Sequence, residues 1–176
     1  MGFGFSPFTQ VHVLISLVGI AAGFVAAFGL LTGRRFPIAT AVFLAFTLAT
    51  SVTGFFFPIT QFTPALAVGG LSLVVLGSAV FARYFKSGSR VWQRVYAGTA
   101  LFAQYMNVFV LVAQSFQKVP ALKDLAPTQT EPPFGIAQGG VLLAFIFAGV
   151  LAVRRPLTPT PPVVPSAPQP ASTAVQ

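Results

Sequence analysis

The sequence predicts an all-α integral membrane protein, a helical bundle with five transmembrane helices. Hydrophobic residues make up 55% of the 176 residues and charged residues only 7%, whereas a soluble domain carries about 25% charged residues. The mean hydropathy of +0.84 agrees with this composition. A bilayer core about 30 Å thick needs roughly 20 apolar helical residues per span, and five stretches of the chain meet that length.

The five predicted spans contain no Asp, Glu, Lys or Arg. Helices in a soluble core would show polar faces at helical period, and these stretches show almost none. We therefore assign residues 1–155 to one transmembrane domain. The predicted spans are Val11–Leu31, Ile38–Phe57, Ala65–Ala82, Val95–Phe116 and Ile136–Val153.

The basic residues predict the orientation of the bundle. Eight of the ten fall in connections on one side, and only Lys118 and Lys123 fall on the other, beside Asp124 and Glu131. The positive-inside rule then places the N-terminus outside and the C-terminus in the cytoplasm. The net charge of +8 lies against anionic headgroups, so we predict the lipid bilayer as a partner and no nucleic acid. The eight residues are Arg34, Arg35, Arg83, Lys86, Arg90, Arg94, Arg154 and Arg155.

The composition changes sharply after Arg155. Residues 156–176 carry prolines at 156, 159, 162, 165 and 168, and this period of three matches a polyproline II helix. The sequence favours a disordered, proline-rich cytoplasmic tail. A docking strip for a cytoplasmic partner is the alternative.

Three amides interrupt the apolar fourth span. Gln104, Asn107 and Gln114 share one helical face. An amide without a hydrogen-bond partner in hydrocarbon costs several kcal/mol, so we expect this face to turn inward. One interpretation is hydrogen bonding between helices, at about 1 kcal/mol for each amide. The other is an outward-facing polar pocket. Its candidate lining residues are His12, Ser16, Ser51, Gln104, Asn107, Gln114 and Gln138.

Small and hydroxyl-bearing residues on other spans could meet this face. Span two presents Thr40, Thr47, Thr50, Ser51 and Gly54 together. Span one carries a Gly19-xxx-Gly23 pair, which permits close backbone approach. Span five has a small-residue stripe at four-residue spacing, formed by Gly140, Ala144, Ala148 and Ala152.

Residue types argue against several chemistries. Proton-coupled transport usually places a carboxylate within a span, and both acids here lie in one connection. One histidine, two acids and no cysteine predict neither a metal site nor a covalent haem. We predict no cofactor and no catalytic residue, and favour a protein that is not an enzyme.

The connection from Gln117 to Phe134 is the longest on the outer side. Its apolar residues Val119, Leu122 and Leu125 alternate with polar ones and predict a short helix over the outer mouth of the bundle. Connections of this length are often functional or else disordered.

Three segments carry a resemblance: "HVLISLVGIAAGF", "TSVTGFFFP" and "QKVPALKDLAPTQTEPPF". They resemble a group of small bacterial inner-membrane proteins, over about residues 8–155. The resemblance implies a multi-pass protein of the bacterial inner membrane and carries no catalytic residue.

Together these features favour a non-catalytic accessory subunit that associates with another membrane protein or with a second copy of itself. The alternative is a binder or carrier of a small apolar ligand, a quinone or a lipid, that uses the outward-facing polar pocket.

Overall fold

The computed structural model describes residues 6–57, 64–86 and 88–155. Within these ranges the chain is helical and contains no β-strand. Five stretches are long and apolar enough to cross a membrane, which confirms the predicted all-α class and the number of spans. The predicted tail, residues 156–176, lies outside the described residues. The elements are α1 (Pro7–Thr32), α2 (Pro37–Gly54), α3 (Pro64–Val80), a π-helical turn (Phe81–Phe85), α4 (Arg90–Lys118), α5 (Pro120–Leu125) and α6 (Pro132–Arg154).

Several helices begin before the predicted spans because a proline starts them. Pro7, Pro37 and Pro132 occupy the first helical turn of α1, α2 and α6, where the missing N–H costs nothing. Hydropathy marks only the apolar part of a helix, so these polar or proline-containing first turns were missed. In α4 the same reason adds Arg90 and Lys118 at the two ends.

The second helix ends earlier than predicted, at Gly54 rather than Phe57. The N–H of Phe55 donates to the carbonyl of Val52 at 3.1 Å, and the N–H of Phe56 donates to that of Thr53 at 3.1 Å. These short-range bonds tighten the last turn and end the helix. The three phenylalanines that follow are apolar but not helical.

Helix α4 lies at the centre of the bundle. It packs against α1, α3 and α6, while α1 makes its most extensive contact with α2. The largest fully buried side chains include Phe43 of α2, Leu76 of α3 and Gln104 of α4. A polar residue therefore lies among the most buried positions of an otherwise apolar core.

The predicted glycine pair on α1 lies at helix–helix contacts. A Cβ at Gly19 would lie 3.3 Å from the Cβ of Phe46 and 3.4 Å from the backbone nitrogen of Thr47. Gly23 is buried against Gln104 and Phe43. The close approach expected from the Gly19-xxx-Gly23 pair is confirmed.

The small-residue stripe of α6 was expected to face the other helices, and this expectation is wrong for the first half of the stripe. Ala152 is buried, but Gly140 and Ala144 are exposed. The reason is that α6 packs on the bundle through the side that includes the partly buried Phe145 and Val153. The stripe drifts around the helix, so only its second half, with Ala148 and Ala152, turns towards the bundle.

The short helix predicted in the long connection is present as α5. Val119 and Leu125 are exposed, while Ala126 directly after the helix is buried. The N–H of Ala126 donates to the carbonyl of Leu122 at 3.2 Å and closes the element. The connection then returns over the end of α4, where its glutamine and threonines make the contacts described below.

Candidate functional site

The most buried of the predicted polar residues is Gln104, which is only 1% exposed. Its Nε2 donates to the backbone carbonyl of Ile20 in α1 at 2.9 Å. Its Oε1 is buried and has no hydrogen-bond partner within the described part of the chain. This oxygen lies directly against Gly23, so a Cα–H of that glycine faces it and supplies a weak C–H···O contact.

Asn107 joins α4 to α2. Its Nδ2 donates to the hydroxyl of Thr47 at 2.9 Å, and Thr47 is fully buried. Together with Gln104, this bond shows two of the three span-four amides hydrogen-bonded between helices. For these two residues the prediction of interhelical bonding is confirmed.

Gln138 and Gln114 lie in different surroundings. Gln138 of α6 donates from Nε2 to the carbonyl of Phe109 in α4 at 3.0 Å. Gln114 is exposed, so the expectation that the whole amide face turns inward is wrong at this residue. It lies one turn before Lys118, where the helix reaches its polar end and an amide no longer has to be kept out of hydrocarbon.

A histidine–hydroxyl cluster connects the beginning of α1 to the end of α2. Thr53 donates its hydroxyl proton to the carbonyl of Ala49 at 2.7 Å. The 2.8 Å contact between His12 Nδ1 and Thr53 Oγ1 therefore has the imidazole as donor, because a threonine hydroxyl holds one proton. Ser16 donates its hydroxyl proton to the carbonyl of His12 at 2.7 Å, and its oxygen lies 3.2 Å from the hydroxyl oxygen of Thr50, within hydrogen-bond distance.

The ring of His12 also contacts an aromatic side chain. Its centroid lies 5.0 Å from that of Phe57, edge to face. Ser51, the remaining candidate, is half-buried on α2. The described residues contain no group of three His, Cys, Asp or Glu side chains that could hold a metal ion. The chemistry available at this cluster is hydrogen bonding between α1 and α2.

Gln129 makes a contact with α4 that the sequence did not predict. Gln129 has a positive φ of 61°, which is uncommon for a residue other than glycine. Its Nε2 donates to the carbonyl of Ala113 in α4 at 2.7 Å, and its Oε1 accepts from Gln117 at 3.2 Å. The long connection is therefore fastened to α4 by one side chain. Local sequence gives no signal for it, because the partner lies sixteen residues away.

The carboxylate of Glu131 organises the same connection. Its Oε1 accepts from the N–H and the hydroxyl of Thr128, at 3.2 and 2.8 Å, and its Oε2 accepts from the N–H of Thr130 at 3.1 Å. Desolvation raises the pKa of this carboxyl, but the hydrogen bonds from its own backbone, Thr128 and Thr130 outweigh that effect. The pKa of Glu131 therefore lies below its usual value.

The seven candidates thus fall into separate contacts rather than one described group. Gln104, Asn107 and Gln138 each bond to a neighbouring helix, whereas His12 and Ser16 bond to α2 near its end. Comparisons with protein-family models, curated proteins and solved structures find no match.

Proposed function

We propose that the protein is a non-catalytic membrane subunit that associates with a helix of another membrane protein through the outer face of α6. The observation that supports this proposal is the shallow packing of α6. Ala152 is its only buried residue. Apart from its contacts with α4, the helix touches the described bundle little.

The outer face of α6 combines large and small residues. Leu143 is 68% exposed and Phe147 67% exposed, while Gly140 and Ala144 are exposed on the same side. A Cβ added at Gly140 would meet no atom within 4 Å. Large apolar residues alone suit lipid, but small residues in a membrane helix allow a second helix to approach closely. This combination favours a helix as the occupant.

Binding of a quinone or lipid in an outward-facing polar pocket remains the alternative. It requires the candidate side chains to surround a common space. The amides of Gln104, Asn107 and Gln138 instead end on atoms of neighbouring helices, so no specific contact favours this function over the first.

Localisation and orientation belong to the same proposal. The distribution of basic residues supports a multi-pass protein with its N-terminus outside, and the resemblance given above supports the bacterial inner membrane as its location. In this orientation the proline-rich segment 156–176 belongs to the cytoplasmic side.

Native purification with mass spectrometry tests the subunit proposal. Wild type is expected to retain a protein partner in stoichiometric amount, and Gly140→Leu is expected to lose it because the side chain blocks close approach. Gly77→Leu is the matched control, since Gly77 is also an exposed glycine in a membrane-length helix with nothing within 4 Å of its Cβ. Retention of the partner by Gly140→Leu, or loss by both variants alike, would contradict the role of α6.

If the retained partner is a second copy of the chain, the same variants decide whether α6 forms the interface. A wild-type preparation that contains neither a partner nor an oligomer, extracted under several mild detergents, would reject the subunit function. Retention of a small molecule in that preparation would favour the carrier alternative.

A further inference from the structure

The basic end of the bundle contains a small cavity between α1, α2 and α4. Its volume is about 20 Å³, and the residues that line it include Arg34, Arg35 and Arg83 together with Thr40 and Tyr96. Apolar residues of α1 complete the wall. Three arginines therefore line a space large enough for roughly one water-sized group.

Backbone geometry brings Arg34 and Arg35 to this position. Gly33 has φ 73° and ends α1 in the left-handed conformation, as glycine commonly does at a helix C-terminus. The chain then folds back closely, so that a Cβ at Gly29 would lie 2.9 Å from the carbonyl oxygen of Arg34 and 2.8 Å from the Phe36 ring. Helix α2 begins at Pro37, and the partial positive charge of its N-terminus adds to that of the arginines.

Arg83 reaches the cavity from the π-helical turn. Such turns are rare and often occur at functional sites. Its guanidinium carbon lies 5.8 Å from the ring centroid of Tyr84 and 5.7 Å from that of Tyr96, within the range of cation–π contacts. Tyr96 and Thr40 are both buried, and the Tyr96 hydroxyl interacts with the side chains of Thr40 and Arg83. The third arginine is thus held in place by a buried aromatic ring.

The chain supplies no acidic side chain to neutralise these charges. Its only two acidic residues are Asp124 and Glu131, which follow the opposite end of α4. At about 1.5 Å per residue, α4 puts roughly 30 Å between Tyr96 and Lys118, well beyond a Debye length. An anion from outside the chain would lower the repulsion among the like charges gathered here.

We propose that Arg34, Arg35 and Arg83 form a binding site for a phosphate group, a phosphomonoester or phosphodiester, at this end of the bundle. Guanidinium groups match phosphate because they donate two parallel hydrogen bonds to it. The cavity admits about one phosphate oxygen, so the rest of the ligand lies outside, where Arg34 is exposed. This site is independent of the subunit function proposed above.

The surface beside the cavity suits a phospholipid. Ile38 in the first turn of α2 is 80% exposed, and Phe85 at the end of the π-helical turn is 71% exposed. Acyl chains can cover such residues while the headgroup phosphate meets the arginines. Basic pockets between membrane helices bind lipid headgroups in this way. A free phosphate compound would use the same arginines but not these apolar residues.

The test uses the full-length protein in a phosphate-free detergent, with two probes: short-chain phosphatidylglycerol and inorganic phosphate. Thermal unfolding and native mass spectrometry report binding. We expect phosphatidylglycerol to raise the Tm of wild type, and Arg83→Gln to weaken its binding roughly tenfold to hundredfold, the loss typical of a charge-assisted hydrogen bond. Arg83→Lys should weaken phosphatidylglycerol binding less, since lysine keeps the positive charge and loses only the pair of parallel hydrogen bonds that a guanidinium group donates.

Arg94→Gln is the matched control, because Arg94 is an exposed arginine at the same end that does not line the cavity. Arg34→Gln and Arg35→Gln provide second variants outside the helices, in case Arg83→Gln does not fold. An arginine-dependent response to inorganic phosphate but not to the lipid would support the site with a soluble ligand. No response of wild type to either probe, or equal weakening by Arg94→Gln, would overturn the proposal.

Discussion

Gln104 of α4 fills the space that a side chain at Gly23 of α1 would need. A Cβ at Gly23 would overlap the amide oxygen of Gln104 and lie 2.5 Å from its Cδ and 2.8 Å from Cδ2 of Phe43. The amide cannot easily move away, since it is buried and donates to the carbonyl of Ile20. Gln104 can therefore keep this position only while residue 23 has no side chain.

This relationship predicts a cost for even the smallest substitution. Gly23→Ala should lower the free energy of unfolding by about 1–3 kcal/mol, as overpacking of a filled core usually does. Gly77→Ala is the control, because a Cβ there meets nothing within 4 Å, and it should be neutral or slightly stabilising. Unfolding in mixed detergent, monitored by circular dichroism, measures both.

The double variant Gly23→Ala/Gln104→Ala separates this contact from a general loss of packing. Shortening Gln104 removes the atoms that the new methyl group would strike. The double variant should therefore be more stable than the sum of the single changes predicts, with a coupling of about 0.5–3 kcal/mol. Strict additivity would show that the two residues do not share this space.

The sequence predicted that the side chain of Gln104 turns towards the other helices, but not that it donates to the carbonyl of Ile20. Helical periodicity places Gln104, Asn107 and Gln114 on one face, and burial of that face follows from the cost of an amide in lipid. The position along the span places Gln104 near mid-membrane and Gln114 near the outer surface. Periodicity nevertheless put both on the inward face, whereas the structure buries Gln104 and exposes Gln114.

Other features had no local signal. The π-helical turn at Phe81–Phe85 continues an apolar segment without a proline or glycine to mark it. The positive φ of Gln129 is stabilised by contacts with α4, which only the folded chain supplies. The five spans could be predicted because each depends on local composition, whereas the cavity lined by Arg34 and Arg83 depends on α1, α2, the π-helical turn and α4.

The bond between Asn107 and Thr47 makes a second prediction. Asn107→Leu removes a hydrogen bond between α4 and α2 and should destabilise the protein by about 0.5–2 kcal/mol, partly offset because leucine suits an apolar core. Gln114→Leu should change stability little, since Gln114 is exposed. Thermal unfolding of both variants decides whether the two amides differ as the structure implies.

A functional readout on the same two variants tests the pocket alternative. If a polar pocket binds a small molecule, both Asn107→Leu and Gln114→Leu should abolish its retention while stability holds or rises, because polar sites kept for binding often limit stability. Mass spectrometry of extracted small molecules measures retention. Loss of stability in Asn107→Leu, with no small molecule retained even by wild type, would leave the amides a purely structural role.

Glu131 predicts a local dependence on pH. Its folded pKa lies below the ordinary value of 4.5, so its contribution is complete above that pH and is lost as the pH falls through the folded value. Amide protection at Thr128 and Thr130, measured by hydrogen exchange, should therefore decrease only in acid below about pH 4.5. Glu131→Gln should show the reduced protection already at neutral pH, with no further change in acid.

The proposed orientation gives a prediction that is independent of stability. The connection that follows α4 contains Lys123 and both acidic residues, whereas the ends of α1 and α6 lead into arginine pairs. Basic residues are retained on the cytoplasmic side during insertion. A reporter that is active only in the periplasm should therefore be active when fused within residues 123–130 and inactive when fused after Arg155.

Replacing Arg34 and Arg35 by glutamine should leave this pattern unchanged, because four more basic residues keep the same side of the bundle in the cytoplasm. They are Arg83, Lys86, Arg90 and Arg94. Reporter activity only after Arg155 would reverse the orientation and place the arginine-lined cavity on the outer face.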